Sequence, residues 1–110
     1  MNTMTPITTP KLAVKYAHSV ATPMGLLLGL TIHLDKHLRP LPLGVGRDGA
    51  SASVIEVVCR DGSCIPSTEL IEDVTLIKTL WSKQGKELTD VIVIGDDGFY
   101  SFSEERTFRK

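Results

Sequence analysis

Val54-Ile55-Glu56-Val57-Val58-Cys59 runs into Arg60-Asp61-Gly62-Ser63 and then into Cys64-Ile65-Pro66. The first six residues are dense in β-branched side chains, which suit the pleated surface of a sheet. Both faces of the run are largely apolar, so this strand, drawn from Ala50 to Cys59, belongs near a sheet centre. Asp61-Gly62 follows at once. Asp-Gly between extended segments is a strong hairpin signal. A type I′ turn needs positive φ at both central residues, which Gly adopts freely and Asp better than most. The spacing predicts a hairpin whose short return strand must end at Pro66.

The same dipeptide recurs at Asp48-Gly49 and Asp97-Gly98. The last pair would join Val91–Ile94 to Phe99–Phe102, with Asp96 facing Phe99, Gly95 facing Tyr100 and Val93 facing Phe102. Between the second and third pairs lies a helix, about residues 67–85. Ser67 or Thr68 can cap it, and Glu69, Glu72 and Asp73 sit at the positive end of its dipole. Leu70, Val74, Ile77 and Trp81 recur at helical spacing and form the stripe expected to be buried. Lys78, Lys83 and Lys86 gather at its end, and Gly85 suits the C′ position.

Toward the N-terminus, Lys11–Val20 alternates. Leu12, Val14, Tyr16 and His18 share one side, as in a half-buried strand. Ala21–Gly25 reads as a turn. Leu26, Leu28, Leu30, Ile32 and Leu34 alternate without a break, so Leu26–Asp35 is also taken as a strand. Its rival is a helix capped by Thr22 with Pro23 in the first turn. Arg39–Gly46, with Pro40, Pro42, Gly44 and Gly46, is a loop.

The fold class expected is α+β: a mainly antiparallel sheet of five or six strands built from hairpins, with one long helix packed on it. With 110 residues, the chain suits one domain over 11–110. Met1–Pro10, rich in Thr and Pro, reads as a mobile tail.

Composition narrows function mainly by exclusion. A net charge of −1 provides no global basic field for nucleic acid or anionic lipid. Met24–Leu34 is too short and too polar to span a membrane, and no signal peptide is visible, so the expected location is the cytoplasm. Gly44-Val45-Gly46-Arg47-Asp48-Gly49 lacks the Lys-Ser/Thr of a phosphate loop and leads into a strand. Under the hairpin reading Cys59 faces Cys64, close enough for a disulfide. Reduced thiols are the expectation for the cytosol, and two cysteines alone do not make a zinc site. His18-Ser19, adjacent on a strand, would point to opposite faces and form no dyad.

His33-Leu34-Asp35-Lys36-His37 is the best polar cluster. On a strand, His33, Asp35 and His37 share one face, where two imidazoles and a carboxylate could bind a metal or a ligand, or move a proton. Against this stands a plain solvated face opposite the leucines.

The leading expectation is a small accessory or binding module acting through protein or small-ligand contacts, with no cofactor. The alternatives are a small metal- or acid/base-dependent enzyme using His33, Asp35 and His37, and a weak single-stranded nucleic-acid binder. The latter would use Phe99, Tyr100, Phe102, Arg106, Phe108 and Arg109. The apolar strand at Val54–Val58 and the leucine-rich segment exceed what one helix can cover, so a homodimer is also expected.

Overall fold

The computed structural model describes residues 5–42 and 51–109. Asp48-Gly49 and the glycine loop from Gly44 to Gly49 lie outside the described residues.

The chain forms α1 (Pro10–Val20), α2 (Pro23–Leu28), β1 (Leu30–Leu34), β2 (Ser53–Cys59), α3 (Thr68–Lys83), β3 (Glu87–Gly95), β4 (Gly98–Ser101) and β5 (Arg106–Arg109). The five strands make one open sheet in the order β1-β2-β3-β4-β5. Three of its pairings are antiparallel, and β2 lies parallel to β3. This is a mixed α+β fold with a mostly antiparallel sheet.

That parallel pair corrects the reading of Asp61-Gly62. No hairpin forms there. Gly62 does take positive φ, at 87°, but the chain continues into the Ser67 cap and α3, then returns beside β2. Parallel neighbours require a crossover of this kind. The dense apolar run of β2 is itself the signature of a strand covered on both faces.

Lys11–Val20 is a helix, not a strand. Thr9 accepts a hydrogen bond from the Leu12 N–H at 3.2 Å, and Pro10 occupies the first turn. Ala13 and Ala17, four residues apart, are fully buried, and their small side chains let α1 approach the sheet closely. Ser19 bonds back to the Tyr16 carbonyl. The segment taken as one strand from Leu26 to Asp35 is split. Thr22 caps α2 through the Gly25 N–H, and Gly29 ends it at φ 99°. β1 begins only at Leu30.

One sheet face carries Ile32, Leu34, Ile55, Val57, Ile92 and Ile94, packed with Ile7, Ala13, Ala17 and Leu26. Ile7 also donates its N–H to the Leu38 carbonyl at 2.8 Å. Of the segment expected as a tail, residues 1–4 lie outside the described residues. Asp90, buried at the edge of this layer, accepts from Ser101 Oγ at 2.7 Å and from the Ser103 N–H at 2.9 Å.

The opposite face holds α3. The helix spans the range expected, and Gly85 follows it at φ 74°. Its stripe is not buried as expected: Leu70, Val74, Ile77 and Trp81 are each half-buried, and no α3 residue is fully buried. The helix packs mainly against β3, leaving the β1–β2 side of this face less covered.

The C-terminal hairpin turns at Asp96-Asp97, one residue earlier than expected. Gly95 pairs with Gly98, Ile94 with Phe99 and Val93 with Tyr100. Moving the turn by one residue shifts each pairing by two, so every side chain keeps its face.

Candidate functional site

The less covered face brings together side chains from β1, β2 and α3 and from the segments leading into β2 and β3. Thr31 and His33 alternate with the buried Ile32 and Leu34 on β1, so both point to the α3 side. Glu56 does the same from β2. The Thr31 hydroxyl donates to Glu56 Oε1. His33 Nδ1 lies 2.8 Å from Ser51 Oγ. The imidazole meets the Trp81 ring edge-on, with centroids 5.8 Å apart. Lys86, just beyond α3, donates to the Ser51 carbonyl at 3.1 Å. Burial lowers the His33 pKa, the nearby Lys86 cation lowers it further, and Glu56 opposes both.

Beside this cluster runs a groove of about 300 Å³. Leu28, Val58, Leu70, Ile77 and Val91 supply apolar wall, and Thr31 and Glu56 supply the polar floor. Glu56 is half-buried and forms no ion pair among the described residues. Gly29 and Thr31 bring the groove to β1, the edge strand of the sheet. On that edge the His33 carbonyl accepts from the Leu41 N–H and the Asp35 N–H donates to the Arg39 carbonyl. By strand alternation the main-chain groups of Thr31 point the same way.

His33 thus enters the cluster without Asp35 or His37. Asp35 Oδ1 accepts from the backbone N–H groups of His37 at 2.8 Å and Arg39 at 3.0 Å, closing the turn after β1. His37 is exposed. The described residues hold no group of three His, Cys, Asp or Glu side chains able to bind a metal. Sequence reading missed Ser51, Glu56, Trp81 and Lys86 as neighbours of His33. Only the pairing of His33 with Val54 and the crossover that returns Lys86 bring them together. The lone Glu in an otherwise apolar β2 was the one local signal.

A second cluster locks the loop after β2 onto the β3–β4 turn. The Gly62 N–H donates to Asp96 Oδ2 at 2.9 Å, and the Asp96 N–H donates to the Gly62 carbonyl at 2.7 Å. Asp97 accepts from the Cys64 N–H at 3.0 Å, from Ser63 Oγ at 3.3 Å and from Arg109 at 3.1 Å. The Cys64 N–H bond leads in holding the Asp97 carboxyl below its usual range. Burial pushes the Cys64 thiol up, and the adjacent Asp97 carboxylate adds to it. Cys59 packs against the core on the other side of the sheet. Both cysteines are free, so the facing pair expected from a hairpin does not form.

At the C-terminus Phe99 stacks on Phe108 at 4.7 Å, and Arg106 lies 4.3 Å from the Phe108 ring centroid. No helix among the described residues is long and apolar enough to cross a membrane.

Comparison with known protein families, with curated proteins and with solved structures returned no match.

Proposed function

We propose that this protein is a cytoplasmic, non-enzymatic binding module, self-associating as a homodimer, that holds an extended protein segment in the groove between α3 and the β1–β2 side of the sheet. The observation that carries the reading is Glu56. A half-buried carboxylate without an ion pair among the described residues, on the floor of an apolar groove, is best complemented by a cation supplied from outside. The main-chain groups of Thr31 beside it can add backbone hydrogen bonds, as in strand addition to a sheet edge. The occupant is therefore a peptide with apolar residues and one Lys or Arg.

The test is selection from a phage-displayed random peptide library. Enrichment of peptides pairing a basic with apolar residues, lost on Glu56→Gln, supports the reading. Failure to enrich any such peptide refutes it.

A second reading is acid/base chemistry, favoured by the His33–Ser51 contact. A neutral imidazole 2.8 Å from a hydroxyl can accept its proton. The burial of Ser51, only 6% exposed, works against it. A fluorophosphonate probe decides: labelling of Ser51 that vanishes in His33→Gln supports an activated serine, and an unlabelled protein excludes one.

A further inference from the structure

The outward flank of α3 carries a repeat that its role against the sheet does not use. Glu69, Asp73, Leu76, Leu80 and Lys83 follow one another at spacings of four, three, four and three residues. This is the alternation that lines one seam of a helix. All five residues are exposed, with Leu76 at 58% and Leu80 at 49%. None of them belongs to the stripe formed by Leu70, Val74, Ile77 and Trp81, which faces the sheet. Two exposed leucines side by side on a helix are an apolar ridge, and here acidic residues precede it and a basic residue follows it.

We infer that α3 pairs antiparallel with α3 of a second copy of this chain, about a two-fold axis midway between Leu76 and Leu80. In that register Leu76 of each copy meets Leu80 of the other, and Asp73 of each meets Lys83 of the other. The seam is self-complementary, as an isologous contact must be. The opposite arrangement, with the helices parallel, would set Asp73 against Asp73 and Lys83 against Lys83. The charge order along the helix therefore selects both the partner and the direction. The apolar centre is short, so the dimer is a weak one that forms and dissociates with concentration.

This pairing rests on the homodimer of the binding-module reading, and it can fail separately from peptide capture in the groove. Sedimentation equilibrium of the full chain, at low and at high concentration, should show a mass rising from 12.0 kDa toward twice that value. Asp73→Lys sets like charges together at both symmetric positions and should weaken the dimer by about tenfold. Lys83→Asp should do the same, and the double variant Asp73→Lys/Lys83→Asp should restore it. Leu80→Lys should leave a monomer. These positions are exposed, so circular dichroism should be unchanged in every variant. Peptide capture in the groove should survive Asp73→Lys, while Glu56→Gln should leave the dimer intact. A mass of one chain at all concentrations overturns the inference, as does a dimer indifferent to Asp73→Lys and Lys83→Asp.

Discussion

Gly95→Ala tests whether the loop after β2 is clamped as tightly as described. In a strand, Gly is ordinarily the worse residue, and Ala in its place should gain about 0.5–1 kcal/mol. Gly95 carries no positive φ, so the backbone raises no objection to Ala. The objection is contact. A Cβ at this position would lie 2.4 Å from the Cys64 nitrogen, 2.7 Å from the Gly62 carbonyl oxygen and 2.8 Å from the Ser63 carbonyl carbon. All three are backbone atoms, so no rotamer change relieves the overlap. The loop must retreat by about 1 Å to reach ordinary van der Waals separation. Four hydrogen bonds join Gly62, Ser63 and Cys64 to Asp96 and Asp97. At about 0.5–1.5 kcal/mol each, losing most of them costs about 3 kcal/mol. For a domain of this size that lowers Tm by about 10–20 °C. Thermal unfolding followed by circular dichroism measures it, and Asp97→Asn provides the control. Combined with Gly95→Ala it should cost less than the sum of the two, because both break the same contacts. A Tm unchanged or raised in Gly95→Ala would mean that the clamp is not there.

Trp81→Ala should cost about 2 kcal/mol, below the usual range for a fully buried aromatic, because Trp81 is only half-buried; denaturant unfolding measures it, and Trp81 emission should fall between buried and free indole. His33 should titrate below the ordinary value of about 6.5 in an NMR pH series. Lys86→Met should raise its pKa and Glu56→Gln should lower it. Because the folded pKa is depressed, the neutral form is favoured, so stability from this group is full above about pH 6.5 and falls as pH drops toward the folded value. His33→Gln should remove that part of the slope. Alkylation of the denatured, unreduced protein should add two groups by mass, one for each free cysteine, and one protein carrying none would reveal a disulfide.

The α3 helix was legible because cap, dipole charges, apolar spacing and terminal glycine all agreed. β2 was legible from its β-branched density, and the faces of β3 and β4 survived a misplaced turn. The N-terminus failed for a specific reason. Small side chains bury at helical spacing in Ala13 and Ala17, yet they weigh little beside the alternating Leu12, Val14 and Tyr16. The Thr9-Pro10 start carried the same information as Thr22-Pro23 and was read as tail. Asp61-Gly62 misled because positive φ at Gly62 serves a loop into a helix as well as a hairpin. Of the candidate site, His33 could be singled out from its neighbours in sequence. Its real neighbours come from β2, α3 and the segments that lead into β2 and β3, and only strand order brings these together.

The parallel pairing of β2 with β3 also bears on synthesis. During translation β2 emerges well before β3, and α3 must follow before that edge can be closed. Until then Val54-Ile55-Glu56-Val57-Val58 presents an unpaired, β-rich edge, the kind of segment that recruits copies of itself. Glu56 interrupts that run with a charge, the position a gatekeeper residue takes. Glu56→Val should therefore shift expressed protein from the soluble to the insoluble fraction, and an unchanged soluble yield would remove this second role for the residue.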